Sequence, residues 1–146
     1  MQVILDNIKT SINNLGRKIN APQDLFPGYG NSTDGDHQYI KVDKHGQLYY
    51  IIVESGEERE YPSPDINDLL YLVFRNITFS MAAEFVANNA IEKEDYRRQY
   101  FSKHLDLLSM LNKDWRNRAE QEHQVLLKFA PFDDVKNTWE NYLRRT

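Results

Sequence analysis

Paired carboxylates are the first side chains to weigh, because acid–base hydrolysis needs two of them in one cleft. Three pairs are candidates by proximity: Asp34 with Asp36, Glu57 with Glu58, and Asp133 with Asp134. Nothing near them supplies the apolar wall that would raise one pKa and leave the other low. Glu57 and Glu58 also sit in a segment that reads as a strand, where neighbours point to opposite faces. Nucleophilic catalysis has less support still. The chain has no cysteine, and no serine lies in a G-x-S-x-G turn. Gly28-Tyr29-Gly30-Asn31-Ser32-Thr33 is glycine-rich, but it lacks the lysine of a phosphate loop. A strand follows it, not the helix whose N-terminus would bind an anion. Four histidines, His37, His45, His104 and His123, are scattered over a strand, a turn and two helices. No two have the i, i+4 spacing that brings a pair of imidazoles to one metal. Glu120-Gln121-Glu122-His123 is a lone E-x-x-H, whereas a di-iron bundle needs a second, so His123 is expected at the surface or partly packed. The sequence assigns no catalytic residue, no metal ligand and no cofactor.

Binding chemistry is better represented. The net charge is −4, and all of the excess lies in one segment. Residues 34–68 hold Asp34, Asp36, Asp43, Glu54, Glu57, Glu58, Glu60, Asp65 and Asp68 against Lys41, Lys44 and Arg59. Such a segment repels a phosphate backbone, which argues against nucleic acid as the partner. It attracts and steers a basic protein. Tyr29, Tyr39, Tyr49, Tyr50 and Tyr61 lie in or beside it. Amphipathic rings for anchoring and charges for steering make a protein-binding surface. The candidate contact set is Tyr29, Asp34, Asp36, Tyr39, Glu54, Glu57, Glu58 and Glu60. The plainer alternative is a solvated acidic loop beside ordinary sheet tyrosines.

The elements that must position these residues follow from periodicity. Ile4, Ile8, Ile12, Leu15 and Ile19 predict a helix over 2–20, weakened in its last turn by Gly16. Residues 21–36, with Pro22, Pro27, Gly28, Gly30 and Gly35, read as a long loop. Alternation over 37–43 predicts a half-exposed strand, and Lys44-His45-Gly46 a turn. Residues 48–53 are apolar on both faces, which suits an interior strand. After a turn at Ser55-Gly56, residues 57–61 form a charged edge strand. Ser63-Pro64-Asp65 predicts a serine-capped helix running through Leu69, Phe74, Ile77, Met81 and Phe85, kinked near Asn76 and Thr78. A further helix starts near Glu94-Asp95. Another starts near Asp114, with a stripe of Trp115, Ala119, Leu126 and Phe129, and ends at Pro131. The last carries Phe132, Val135, Trp139, Tyr142 and Leu143. The expected fold is α+β: an N-terminal helix, a three-stranded antiparallel meander, then about four helices packed on it.

With 146 residues, 40% of them hydrophobic and 12% aromatic, the chain suits one domain over 1–146 with a packed core. No run reaches the roughly 18 apolar residues of a membrane span. The N-terminus lacks the basic head and apolar stretch of a secretory signal, and without cysteine there is no disulfide. A bacterial or eukaryotic cytosolic location is expected, with no membrane partner.

The order of segments resembles a bacterial immunity-protein family, immunity protein 63. The likeness is carried by Pro27-Gly28-Tyr29-Gly30-Asn31-Ser32, Tyr39-Ile40-Lys41-Val42-Asp43, the stretch from Tyr49 to Glu54, and Gly56-Glu57-Glu58. It continues in Asp68-Leu69-Leu70-Tyr71-Leu72-Val73-Phe74 and Ile77-Thr78-Phe79-Ser80-Met81-Ala82, then in Asp95-Tyr96-Arg97-Arg98 with Phe101. Leu105, Leu108, Trp115 and Pro131-Phe132-Asp133-Asp134 complete it, so that it covers roughly residues 25–134. Where the family often has an arginine before the glycine of the turn, this chain has Ser55, so no contact of that arginine is carried over. The resemblance implies an immunity protein of a bacterial polymorphic toxin system. Such a protein would bind and neutralise the toxin domain encoded beside it in the bacterial cytoplasm, and would have no enzymatic activity. The acidic segment suits a basic toxin such as a nuclease. Two other readings compete: a small hydrolase or nucleotide-modifying enzyme using the loop at 28–36 with Asp34 and Asp36, and a scaffold or oligomerisation module.

Overall fold

The computed structural model describes residues 2–30 and 35–146. Contacts group the chain into two compact units, one ending at Ile77 and one spanning Thr78–Thr146.

The first unit begins with helix α1, Gln2–Lys18, whose Ile8 and Ile12 are buried a turn apart and whose Arg17 and Lys18 complement the dipole at its end. Gly16 is required by packing: a Cβ there would lie 2.4 Å from Cζ of Phe26. The chain leaves α1 through Asn20, left-handed at φ 53°. The expected loop over 21–36 contains structure. Gln23–Leu25 forms a 3-10 turn, held by a 2.9 Å bond from Gln38 Nε2 to Leu25 O. Gly28–Tyr29 forms a short strand, β1, parallel to β2 (His37–Val42). Two residues have no detectable period, so the sheet was expected with three strands. It has four and is mixed.

Antiparallel β3 (Leu48–Glu54) and β4 (Glu57–Ser63) complete the order β1-β2-β3-β4. The β2–β3 turn is built by Asp43, whose Oδ1 accepts the amides of His45 and Gln47 at 2.9 Å each. The β3–β4 turn has Ser55 at φ 51° and Gly56 at φ 80°, two left-handed residues as a type I′ hairpin requires. Interior β3 is buried on both faces at its centre: Tyr50 and Ile51 are both inaccessible.

Helix α2, Ile66–Asn89, is continuous through Asn76 and Thr78. Its cap is Asp65, whose Oδ1 accepts the Asp68 amide at 2.8 Å. The expected cap, Ser63, is instead the last residue of β4, paired with Leu48. The strand runs two residues further than the charges suggested. Among the described residues, α2 is the helix long and apolar enough by composition to cross a bilayer. Its Leu69, Tyr71, Val73 and Phe74 are nevertheless buried inside the protein, as in a core helix.

The second unit holds the rest of α2 with α3 (Tyr96–Ser109), α4 (Lys113–Phe129) and α5 (Trp139–Arg145). Contacts group α3 to α5 with the second half of α2. Asp95, Asn112 and Thr138 cap the three helices by accepting backbone amides. The buried stripe of α4 is Trp115, Ala119 and His123, one per turn. The expected continuation through Leu126 and Phe129 is wrong, since these are 53% and 87% exposed. The last helix is shorter than expected. Asp133 Oδ1 takes the amides of Val135 and Lys136, which folds 133–137 as a turn and leaves Phe132 and Val135 outside α5.

Candidate functional site

Register sorts the candidate contact residues onto the two faces of the sheet. Glu58 opposes Val53, Glu60 opposes Ile51, and Ile51 opposes Tyr39. These side chains therefore share one face with His37, Lys41 and Tyr49. There the Tyr39 hydroxyl donates to Glu58 Oε1 at 2.9 Å. His37 stacks on Tyr39 with centroids 5.6 Å apart, and Lys41 Nζ lies 5.8 Å from the centre of Tyr49. Burial, then the hydrogen bond and charge of Glu58 and the charge of Glu60, push the Tyr39 hydroxyl pKa above its ordinary value. That hydroxyl stays a donor, which fixes the carboxylate in place. The ring itself is only 6% exposed, so it positions Glu58 and does not project as an anchor.

Glu54 and Glu57 oppose each other at the hairpin end and fall on the other face with Arg59, Ile52 and Gln38. The alternation that separated Glu57 from Glu58 in the sequence is kept. On this face Gln38 Oε1 accepts from both the Tyr50 hydroxyl and Asn76 Nδ2, the latter at 2.9 Å. That bond network ties the sheet to the first half of α2. Asp36 Oδ1 accepts the amide of Ser55 at 2.9 Å and so braces the hairpin turn. Asp34 lies outside the described residues. Tyr29 is placed apart from the glutamates, since β1 and β4 are opposite edges of the sheet. Its ring lies under Lys9, its hydroxyl is buried, and burial raises its pKa to about 12.

The second unit contains two constellations that sequence reasoning missed. His104 on α3 and His123 on α4 are both buried, with Nδ1 of the first 2.9 Å from Nε2 of the second. Phe101 stacks on His123 at 4.2 Å, and burial pushes the pKa of that imidazole below its ordinary value. The expectation of a surface or partly packed His123 is corrected. Their places in the sequence gave no signal of pairing, since His104 stands six residues before the turn at 110–112 and His123 eleven residues after it. Two nitrogens do not make a metal site, and among the described residues no three ligating side chains converge.

The other constellation surrounds Asp95, whose carboxylate is inaccessible to solvent. It accepts from the Arg97 amide and Nε at 2.9 and 3.1 Å, and from Arg97 Nη2 at 2.8 Å. The Asp133 amide and Asn137 Nδ2 add bonds of 2.9 and 3.3 Å. Arg97 reaches on to the carbonyls of Ala130 and Pro131 at 2.8 and 2.9 Å. Asp134 accepts the Asp95 amide and pairs with Arg98. Burial opposes the Asp95 charge, but these donors outweigh it and hold the carboxyl at about 2. This is a clamp that fastens the 130–138 segment to the start of α3.

A family model described as immunity protein 63 matches residues 44–125, over half of the chain. The chain belongs to the immunity protein 63 family. The match begins in the β2–β3 turn and runs through β3, β4, α2, α3 and most of α4. It includes Glu54, Glu57, Glu58, Glu60, Asp95 and both paired histidines, while Tyr29, Asp34, Asp36 and Tyr39 precede it. It is narrower at both ends than the span of the resemblance. No curated protein and no solved structure gives a significant match.

Proposed function

We propose that this immunity-family protein neutralises a cognate bacterial toxin domain by stoichiometric binding, without turnover, inside the cell that makes both. Family membership is the observation that carries this reading. The partner is a basic protein, and a nuclease toxin fits because enzymes that hold a phosphate backbone present cationic surfaces. The acidic β3–β4 hairpin supports this reading. Glu54, Glu57, Glu58 and Glu60 stand there against Arg59 alone, and every residue of β4 before Ser63 is exposed. A rigid, rim-type array of carboxylates speeds encounter with a cationic surface more than it tightens the complex. The buried Tyr39 hydroxyl holds Glu58 in place, which lowers the cost of ordering that side chain on binding.

The test is protection. Cells expressing the toxin domain encoded by the neighbouring gene are expected to survive when this chain is co-expressed and to die when it is withheld. Equal death in both arms, or a purified protein that turns over a substrate, contradicts the reading.

A further inference from the structure

The carboxylates at the hairpin coincide with an unpaired strand edge, and the register fixes which backbone groups that edge offers. β4 is the last strand of the sheet. Its two-residue turn closes on Glu54 and Glu57, and such a closing pair is hydrogen-bonded. Bonded and non-bonded pairs alternate from there, so Arg59 and Tyr61 bond to β3, whereas Glu58, Glu60 and Pro62 do not. The other side of β3 gives the same answer independently. The Asp43 amide bonds to Gln47 O at 3.0 Å, which makes Lys41–Tyr49, Tyr39–Ile51 and His37–Val53 the bonded pairs with β2. Tyr49, Ile51 and Val53 therefore turn their backbone groups towards β2 and leave Pro62, Glu60 and Glu58 facing outwards. Pro62 fits, because proline is tolerated in a strand where its missing N–H would point off the edge.

We propose that β4 is a strand-addition site. An extended segment of the toxin pairs with the outward N–H and C=O groups of Glu58 and Glu60 and ends at Pro62, which has no N–H to give. This rests on the toxin-neutralising reading and adds how the partner docks. The occupant is defined by charge. Glu58 and Glu60 are two residues apart on one face, so a docked strand with Lys or Arg at alternate positions places a cation beside each. A second copy of this chain is the wrong occupant. Antiparallel pairing of two β4 strands about Arg59 sets Glu58 against Glu60 twice, a like-charge arrangement that guards edges against self-association.

The experiment uses the full chain and the toxin domain from the neighbouring gene. Amide hydrogen exchange is followed residue by residue, free and in complex. Strand addition protects the amides of Glu58 and Glu60, which are open in the free protein. It changes those of Glu57, Arg59 and Tyr61 little, because they already bond within the hairpin or turn. Glu60→Pro removes one outward N–H, and Glu60→Gln removes only the charge. With the fold checked by circular dichroism, E60P is expected to weaken binding about tenfold beyond E60Q, the worth of roughly one interfacial hydrogen bond. Equal effects of E60P and E60Q, or a complex in which the Glu58 and Glu60 amides still exchange freely, overturn strand addition and leave neutralisation standing. Should E60P not fold, the exchange pattern alone decides. Failure of the two proteins to form any complex overturns both.

Discussion

Replacing Asp95 by Asn keeps the side chain's shape and removes its charge, which isolates what the buried clamp contributes. The carboxylate accepts from the Arg97 amide, Nε and Nη2, from the Asp133 amide and from Asn137 Nδ2. In the amide variant one acceptor becomes a donor facing other donors, and Arg97 keeps the carbonyls of Ala130 and Pro131 and a bond to the one remaining side-chain oxygen, but loses its charge partner. Breaking a buried ion pair by removing one partner destabilises by about 3–5 kcal/mol. Arg97 is 15% exposed, which places the effect at the lower end, about 3 kcal/mol. In urea, with a slope of about 2 kcal/mol/M, the midpoint should fall by about 1.5 M. The pH dependence has a definite sign. A carboxyl held at about 2 against an ordinary 3.8 stabilises fully above the ordinary value and loses that stabilisation as pH falls through about 2. The gap between wild type and D95N should therefore be constant near neutrality and close below pH of about 4. A midpoint shift under about 0.3 M at pH 7, or a gap that persists undiminished at pH 2, refutes the clamp as the fastening of the 130–138 segment.

The other expectations are as follows. Gly16→Ala puts a methyl group 2.4 Å from the Phe26 ring and should destabilise by about 1–3 kcal/mol in thermal or urea melts, against the usual gain from alanine in a helix. His123, with its pKa lowered by burial, makes the unfolded chain the better proton acceptor. Stability should fall as pH drops below the ordinary imidazole value, and His123→Leu should flatten that slope between pH of about 7.5 and 5 in melting curves. Reversing Glu58 and Glu60 to Lys together should slow toxin association by about tenfold at low salt and much less at high salt, read by stopped-flow fluorescence.

Legibility in the sequence followed the length of each signal. β2, β3 and the charged edge strand β4 were readable because several residues alternate around turn residues. The hairpin at Ser55-Gly56 was readable because glycine marks the positive φ. β1 escaped because two residues carry no period, and it forms only where β2 supplies a partner. Ser63 was misread as a cap because serine before proline is a strong local signal, overridden by its pairing with Leu48 across the sheet. The α4 stripe was misjudged past Ala119 because its next buried residue is His123, polar by type, while apolar Leu126 a turn later is exposed. Pairing with His104 and stacking on Phe101 make that burial tolerable, and both partners lie on another helix. The acidic hairpin was visible in composition. Its division between two faces, and the separation of Tyr29 at the opposite edge, needed strand order and register.

The most direct measurement is a titration of the purified toxin domain's activity with purified immunity protein. Neutralisation by binding predicts a linear fall in activity that reaches zero at one equivalent and is unchanged by incubation time. Toxin activity that survives a large excess, or is abolished by a small fraction of an equivalent as time passes, contradicts it.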